Sequence, residues 1–214
     1  MIVAKQTEPG KVKTRLCSVY TPGEAAVVAR LFLEDAFSLA NEVAEADVFI
    51  GFDPVSAADW FAAVCSGGEL ILQGEGDLGA RLTRISGEVF ALGYEKVILM
   101  GTDAPFLRAD RLRETLSALR SPKTVVLGPA FDGGYYLIGL TEHQPELFDA
   151  IPWSSDKTLS ETLNRVEKLG LKAHLLEIER DVDTPEDLQW MLDNWRQLDP
   201  NKSLSSHISE SIAT

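Results

Sequence analysis

Four cations stand among the first sixteen residues of a chain whose formal net charge is −13: Lys5, Lys11, Lys13 and Arg15. A single acid accompanies them, and such a local reversal of charge in an acidic chain indicates an anionic ligand. Ammonium and guanidinium groups donate hydrogen bonds to phosphate oxygens. We therefore expect Pro9 and Gly10 to turn this loop toward a ligand, and Lys13, Thr14 and Arg15 to bind a diphosphate. A solvated basic turn is the alternative, whereas the Gly-Lys-Ser/Thr of a Walker loop is missing.

Aspartates occur at two further places where a ligand is expected. The segment Gly101-Thr102-Asp103 comes directly after the apolar run 97–100, and Pro105 then ends the strand. A carboxylate in this position suits a hard divalent cation that bridges two phosphates; a turn or helix cap is the alternative. Asp181 and Asp183 alternate just before a predicted helix, so they point the same way if the segment is extended. One of them could complete the coordination of the ion, or both could simply place favourable charge at the helix N-terminus.

A third segment places an acid beside paired glycines and two aromatic rings: Asp132, Gly133, Gly134, Tyr135 and Tyr136. The glycines allow the backbone to approach a ligand closely, and the tyrosines supply a face for a sugar ring. Asp132 is positioned to act as a general base or to assist a metal ion. A plain Asp-Gly-Gly turn is the competing interpretation.

One glycine-rich segment matches the dinucleotide-binding fingerprint without fitting its chemistry. Residues 74–79 read Gly-Glu-Gly-Asp-Leu-Gly after a predicted strand and before a predicted helix. Glu75 and Asp77 would place two carboxylates where a pyrophosphate binds, and the segment follows the third strand rather than the first. A loop that contacts the base or the substrate is the better interpretation. The histidines lack ligand spacing, so neither a His-based zinc site nor a Ser-His-Asp triad is supported.

Short β-branched runs alternate with longer amphipathic segments, a pattern typical of a sheet covered by helices. The predicted strands are 2–4, 48–52, 70–73, 97–100, 125–127, 135–140 and 173–178. Only residues 128–134 separate the fifth strand from the sixth, which is too short for a crossover helix. We therefore predict an α/β fold of three layers, α/β/α, with a mixed, mostly parallel sheet that contains one antiparallel strand. In such sheets the ligand binds beyond the carboxyl ends of the strands, where the segments above lie.

Capping signals predict where several helices begin and end. Thr21 opens a capping box, and Ser56 and Thr184 are predicted as further N-caps because each has an aspartate three residues on. Gly93 and Gly170 are predicted to end helices, since glycine adopts the left-handed conformation common just after a helix.

Composition narrows the range of functions. With 214 residues, 45% of them hydrophobic, the chain is expected to bury one substantial core in a single domain over 1–198, followed by a flexible tail over 199–214. The acidic excess argues against nucleic-acid partners. Cys17 and Cys65 are too few for a disulfide framework or a Cys zinc site. The chain shows neither a signal-peptide apolar region nor an apolar run of about 18 residues, so we expect a cytoplasmic protein without a membrane span.

Taken together, these segments resemble a family of bacterial proteins assigned as candidate nucleotide-diphospho-sugar transferases, with a glycosyltransferase-A-like fold. The resembling stretches occur in the family's order: PGKVKTRL from Pro9, QGEGDLGARL from Gln73, GTDAP from Gly101, GPAFDGGYYLIGL from Gly128, the segment Trp153-Ser154-Ser155, and DVDTPEDL from Asp181. More distantly, the pattern is similar to nucleotidylyltransferases such as phospholactate guanylyltransferase, in which a Gly-Asp-x-Pro aspartate and a late Asp-Thr-Pro aspartate bind magnesium.

This resemblance implies that Asp103 and Asp183 bind Mg²⁺ or Mn²⁺, and position together with resemblance selects Asp103 and Asp132 as catalytic candidates. The candidates for substrate or nucleotide binding are Lys5, Pro9, Gly10, Lys13, Thr14, Arg15, Gln73, Gly76, Asp77, Gly79, Arg81, Gly133, Gly134, Tyr135 and Trp153.

Three functions are compatible with such a pocket. The first is a metal-dependent transferase that uses a nucleoside-diphosphate sugar as donor, with Lys13 and Arg15 binding the diphosphate and an acceptor that the sequence does not name. The second is a nucleotidylyltransferase that joins an NTP to a phosphorylated small molecule and releases pyrophosphate, whereas the first reaction releases an NDP. The third is a nucleotide-binding module without catalysis.

Overall fold

The computed structural model describes residues 1–198 together with Leu204, His207, Ile208 and Ser211. Within residues 1–198, seven strands form one sheet: β1 (Ile2–Lys5), β2 (Phe49–Asp53), β3 (Glu69–Leu72), β4 (Val97–Met100), β5 (Thr124–Pro129), β6 (Tyr135–Leu140) and β7 (Lys172–Leu175). Their order in the sheet is β3-β2-β1-β4-β6-β5-β7. Strand β6 runs antiparallel to β4 and β5, and the other neighbours are parallel. The mixed sheet with one antiparallel strand is therefore confirmed.

Six α-helices within residues 1–198 flank this sheet: α1 (Pro22–Asn41), α2 (Ala58–Val64), α3 (Leu78–Ala91), α4 (Ala109–Ala118), α5 (Thr158–Lys168) and α6 (Pro185–Leu198). Ile50 faces a core that includes residues of α1, α2 and α4, whereas its strand neighbour Phe49 faces a second core with residues of α3 and α5. Because successive strand residues point to opposite faces, these two cores lie on opposite sides of the sheet. The fold has the three predicted layers.

The predicted helix ends are confirmed at four of five positions. The Thr21 hydroxyl accepts from the Glu24 amide at 3.2 Å and caps α1, and Thr184 accepts from the Asp187 amide at 3.2 Å before α6. Gly93 and Gly170 have positive φ angles of 97° and 68°, just after α3 and α5.

The prediction that Ser56 caps a helix is wrong. Ser56 lies inside a short 3-10 helix, Val55–Ala57, and α2 begins after it, with no side-chain cap at Ala57. A serine followed three residues later by an acid does not specify which turn it enters, and the tight turn beginning at Val55 carries Ser56 into the helical segment.

The C-terminal tail prediction, 199–214, falls mainly outside the described residues. Of the residues described there, Leu204 and Ile208 are buried in a third core that also contains Trp195 of α6 and Phe32 of α1. No helix in the described part of the chain combines the length and apolarity needed to cross a lipid bilayer.

Candidate functional site

The basic loop after β1 is anchored to the protein by Leu16, which is fully buried in the same core as Val182. Between β1 and Leu16 the backbone has positive φ angles at Gly10 (77°) and Lys13 (45°). A left-handed conformation is uncommon for a residue with a side chain such as Lys13. The 3-10 helix Thr14–Ser18 follows directly. The anchored turn brings the Lys13 side chain to the carboxyl end of β4.

Two loops that carry aspartates meet at this edge of the sheet. The Val182 amide donates to the carbonyl oxygen of Asp103 at 2.8 Å, so the segment before α6 is fastened to the segment after β4. Val182 itself is fully buried. Asp103 and Asp183, which are 80 residues apart in sequence, thereby come to lie on either side of one ammonium group.

That ammonium belongs to Lys13, whose Nζ lies 2.7 Å from Asp103 Oδ1 and 2.8 Å from Asp183 Oδ1. It also donates to the carbonyl oxygen of Val182, and it lies 5.3 Å from the centre of the Phe32 ring. The Lys13 side chain is only 5% exposed. Burial lowers the pKa of Lys13, but the Asp103 and Asp183 carboxylates raise it by more, so the net shift is upward. Lys13 is therefore a permanent charge at neutral pH.

A cavity of about 270 Å³ opens beside this ion-pair cluster. Four predicted site residues line it, namely Lys5, Lys13, Asp103 and Asp183. Its polar lining also includes Lys11, Thr7 and Thr102, and α1 supplies an apolar floor of Ala29 and Leu33. The two threonines are absent from the sequence-based candidates, although Thr102 directly precedes Asp103 and could have been selected on that ground.

The remaining candidates of the basic loop are exposed to solvent. Pro9, Gly10, Thr14 and Arg15 do not line the cavity. Arg15 comes nearest, with Nη1 3.8 Å from Asp183 Oδ2 while its side chain stays 66% exposed. Its guanidinium therefore keeps solvent contact beside one of the two aspartates that line the cavity.

In the glycine-rich loop between β3 and α3, the candidate residues Gln73 and Asp77 make hydrogen bonds that hold the loop in place. Gln73 is 2% exposed, and its amide donates to the carbonyl oxygens of Ala4 (2.9 Å) and Gly51 (2.7 Å) across the ends of β1 and β2. Asp77 caps α3 by accepting from the Ala80 amide at 2.9 Å. These contacts fix the loop, and neither residue lines the cavity.

Two further candidates, in the first turn of α3, make contacts that hold the loop and the helix in place. Arg81 donates to the Gly76 carbonyl and to Asp53, both at 3.0 Å, and so ties the loop to the end of β2 beside Lys5. A Cβ atom at Gly79 would lie 2.5 Å from the carbonyl oxygen of Phe148, so glycine is required there for close packing of α3.

Asp132 lies close to the acidic segment before α6 but outside the cavity lining. Burial raises the pKa of Asp181, and the neighbouring Asp132 raises it further. Asp132 Oδ1 accepts from the Gly134 amide at 2.7 Å, which is the hydrogen bond of an Asp-Gly-Gly turn. The side chain is exposed, so the turn and a role at the edge of the site are compatible.

The aromatic candidates pack away from the cavity. Tyr135 and Trp153 are partly buried and pack against the core on the α3 and α5 side, with their rings in edge contact at 6.2 Å between centres. Their polar atoms are buried without a hydrogen-bond partner among the described residues. Gly133 packs against the backbone of Asp156, and Gly134 accommodates the Asp132 turn. The role of Tyr135 as a face for a sugar ring stays a prediction, because its ring is partly buried against this core and the residue does not line the cavity.

The residues at the cavity fit a hard divalent cation in part. Asp103 is 49% exposed, and its second oxygen, Oδ2, has no hydrogen-bond or ion-pair partner among the described residues. No group of three His, Cys, Asp or Glu side chains suited to a metal ion occurs in that part of the chain. Mg²⁺, however, is usually held by one or two carboxylates together with substrate phosphates and water. Asp103 and Asp183 supply the two carboxylates, and a phosphate ligand would have to supply the remaining oxygens.

Sequence and structure comparisons agree with this architecture. A family model described as "Uncharacterized protein conserved in bacteria (DUF2064)" matches residues 37–155. A solved structure from Desulfovibrio desulfuricans G20, described as a candidate nucleotide-diphospho-sugar transferase, is 31% identical, with 99% of this chain and 94% of that chain covered and a TM-score of 0.90. The chain matches no curated protein sequence at a significant level.

More distant solved structures share the fold. One is a CMP:2-keto-3-deoxy-manno-octonic acid synthetase in complex with CTP, 17% identical over 92% of this chain and 97% of that one, with a TM-score of 0.59. Another is a Mycobacterium tuberculosis H37Rv protein in complex with manganese, 14% identical over 90% of this chain and 96% of that one, with a TM-score of 0.54. At these identities the likeness shows the fold alone.

Proposed function

We propose that this chain, which belongs to the bacterial family described as uncharacterized and conserved (DUF2064), is a metal-dependent transferase that uses a nucleoside-diphosphate sugar as donor. The transferase class is supported by the Desulfovibrio desulfuricans relative at 31% identity. The observation that carries the proposal is the cavity in which three lysines and two aspartates converge at the carboxyl ends of β1 and β4. A diphosphate and a divalent cation together need both signs of charge in one place.

The charged residues in and around the cavity have distinct parts in this proposal. Lys5 and Lys11 bind phosphate oxygens from the loop, and the exposed Arg15 closes on the ligand from the mouth. Asp103 and Asp183 would hold the divalent cation, which when bound stabilises the charge that develops on a departing nucleotide. Asp132 is the proposed acceptor base, because it lies near Asp181 at the edge of the same site.

A second candidate function keeps the same pocket. The CTP complex of a synthetase with this fold favours a nucleotidylyltransferase, in which an NTP binds where the first proposal places the sugar nucleotide. The two reactions differ in what leaves: pyrophosphate from the NTP, or an NDP from the sugar nucleotide. The leaving group therefore distinguishes the two reactions whatever the acceptor is.

The proposal is tested by thermal shift with UDP-glucose, GDP-mannose, ADP-glucose, CTP, GTP and UTP, each with and without Mn²⁺. A ligand at 100 times its Kd stabilises a protein by about 2.7 kcal/mol. For a chain of this size we expect that gain to raise Tm by roughly 5–10 °C. Any ligand that binds is then titrated, and the released NDP or pyrophosphate is measured.

The matched variants are Asp103→Asn and Asp110→Asn. Asp110 lies on the exposed first turn of α4 and pairs with Arg113, away from the cavity, so its substitution is expected to leave the affinity unchanged. Asp103→Asn is expected to weaken Mn²⁺-dependent binding at least tenfold. Because Asp103 also pairs with Lys13, this variant loses some stability, and affinity rather than Tm is compared. Equal affinity in both variants would contradict the metal assignment, and no shift with any ligand would contradict the function.

A further inference from the structure

We propose that Lys13 is a resident cation that competes with a divalent metal ion for the Asp103–Asp183 pair, so that the protein without a phosphate ligand binds metal weakly. The inference rests on the proposed function, since it concerns the same cavity. The sequence predicted that Lys13 binds the diphosphate. In this proposal Lys13 instead neutralises the carboxylates that would bind the metal ion.

The first step of the argument is the donor count of the ammonium group. A lysine ammonium has three N–H donors. Those of Lys13 are directed at three oxygens: Asp103 Oδ1 (2.7 Å), Asp183 Oδ1 (2.8 Å) and the carbonyl of Val182. No donor is left for a phosphate oxygen, and with 5% exposure the side chain has little solvent contact. In this arrangement Lys13 cannot bind the diphosphate that the loop was expected to hold.

The second step is the chemistry of those three oxygens. Two carboxylate oxygens and one backbone carbonyl, converging within hydrogen-bond distance of a single positive centre, are the ligand types that hard cations prefer. The Lys13 ammonium thus occupies a position whose three oxygen ligands would also suit a hard cation. The ring of Phe32, 5.3 Å away, lies behind the ammonium and adds a favourable surface for positive charge.

The third step is the charge balance of the cavity. Lys13 cancels one of the two carboxylate charges, and Lys5 and Lys11 line the same space. A divalent cation that arrives alone therefore meets a site that is not negative overall, and the Lys13 ammonium beside both carboxylates repels it. Phosphate groups on a ligand restore the negative charge that the lysines remove. The free oxygen of Asp103 then becomes available to a cation that the ligand brings with it.

The test measures the affinity of the protein for Mn²⁺ alone, from the signal of free Mn²⁺ in electron paramagnetic resonance. Lys13→Met and Lys13→Gln are compared with wild type, after circular dichroism confirms that each is folded. Glutamine keeps a hydrogen-bond donor without the charge, so it serves if methionine leaves the carbonyl of Val182 too poorly satisfied. We expect both variants to bind Mn²⁺ at least tenfold more tightly than wild type.

The matched control is Lys172→Met. Lys172 carries the same charge on the exposed edge strand β7 and does not line the cavity at Lys13. We expect its Mn²⁺ affinity to change less than threefold. Unchanged or weaker Mn²⁺ binding in the folded Lys13 variants would overturn the proposal, as would an equal gain in Lys172→Met. No nucleotide is used, so a failure of the proposed function appears separately, as an absence of ligand binding in wild type.

Discussion

Two regions of the molecule surround a cation with carboxylates, and they differ in almost every other respect. Lys13 lies between Asp103 and Asp183 with 5% of its side chain exposed. Arg111 of α4 contacts Glu114 at 2.9 Å and also pairs with Glu177 and, at 4.0 Å, Glu179, but it is 26% exposed. The first cluster closes one side of a cavity, whereas the second lies where α4 meets the edge strand β7.

The difference shows that charge density and volume do not by themselves mark a functional site. A cavity of about 480 Å³ beside the Arg111 cluster is larger than the one at Lys13, yet its lining combines Glu114 and Arg120 with Lys172 and His174 on the sheet edge. These groups belong to an exposed surface and do not converge on one point. At Lys13, three oxygens converge on one atom at the carboxyl ends of parallel strands, where ligands bind in this architecture.

The largest effect expected from this comparison is on stability. Lys13→Met leaves two carboxylates close together without their cation, and we expect it to cost about 2 kcal/mol, less than for a fully buried pair because both acids are partly exposed. Arg111→Met is expected to cost less than about 1 kcal/mol, since the guanidinium and two of its three partners, Glu114 and Glu177, keep solvent contact. Urea denaturation gives both values, and equal losses in the two variants would remove the distinction between the clusters.

Pairwise interaction energies, which are smaller than the stability losses above, also distinguish the Lys13 cluster from the Arg111 cluster. A double-mutant cycle with Lys13→Met and Asp183→Asn is expected to give about 1.5 kcal/mol of interaction energy, because the Lys13 side chain is only 5% exposed. The equivalent cycle with Arg111→Met and Glu114→Gln, three residues apart on one helix, is expected to give about 0.4 kcal/mol. Repeating both in about 1 M NaCl, where screening acts over roughly 3 Å, should abolish only the second. Equal salt sensitivity would show that the Lys13 cluster is more hydrated than its burial indicates.

The fold could be predicted from the sequence because its signals are local. Short apolar runs indicate the strands other than β7, which is exposed, and the short stretch 130–134 forces β6 to return antiparallel to β5. Capping boxes at Thr21 and Thr184 work because the side chain and the amide it binds are three residues apart. Ser56 has the same spacing and fails, because the turn that it enters depends on the chain before it.

The site could be predicted only as a set of loops, since its contacts cross the whole chain. Asp103 and Asp183 flank one cation because of two long-range contacts. One is the hydrogen bond between Val182 and Asp103, and the other is the packing of Leu16 and Val182 in one core. No local pattern encodes either contact. The roles of the aromatic candidates stay predictions: helices cover both faces of the sheet, and Tyr135 is partly buried against one of the two cores.

The smallest expected effect concerns a carboxylate of the exposed cluster and the pH dependence of stability. Burial raises the pKa of Glu179 above its ordinary value of 4.5, and Arg111 lowers it by less. A raised pKa means that the folded state holds more protons than the unfolded state between pH 4.5 and the shifted value, so Glu179 makes stability fall as pH rises through that window. Glu179→Gln removes this dependence. We expect the variant to match wild type near pH 4 and to exceed it by about 0.5 kcal/mol at pH 7, as measured by urea denaturation. A variant that is less stable than wild type at pH 7 would mean that the attraction of Arg111 outweighs the cost of burying the Glu179 carboxylate. The Arg111 cluster would then resemble the Lys13 cluster, in which the attraction between opposite charges exceeds the cost of burial.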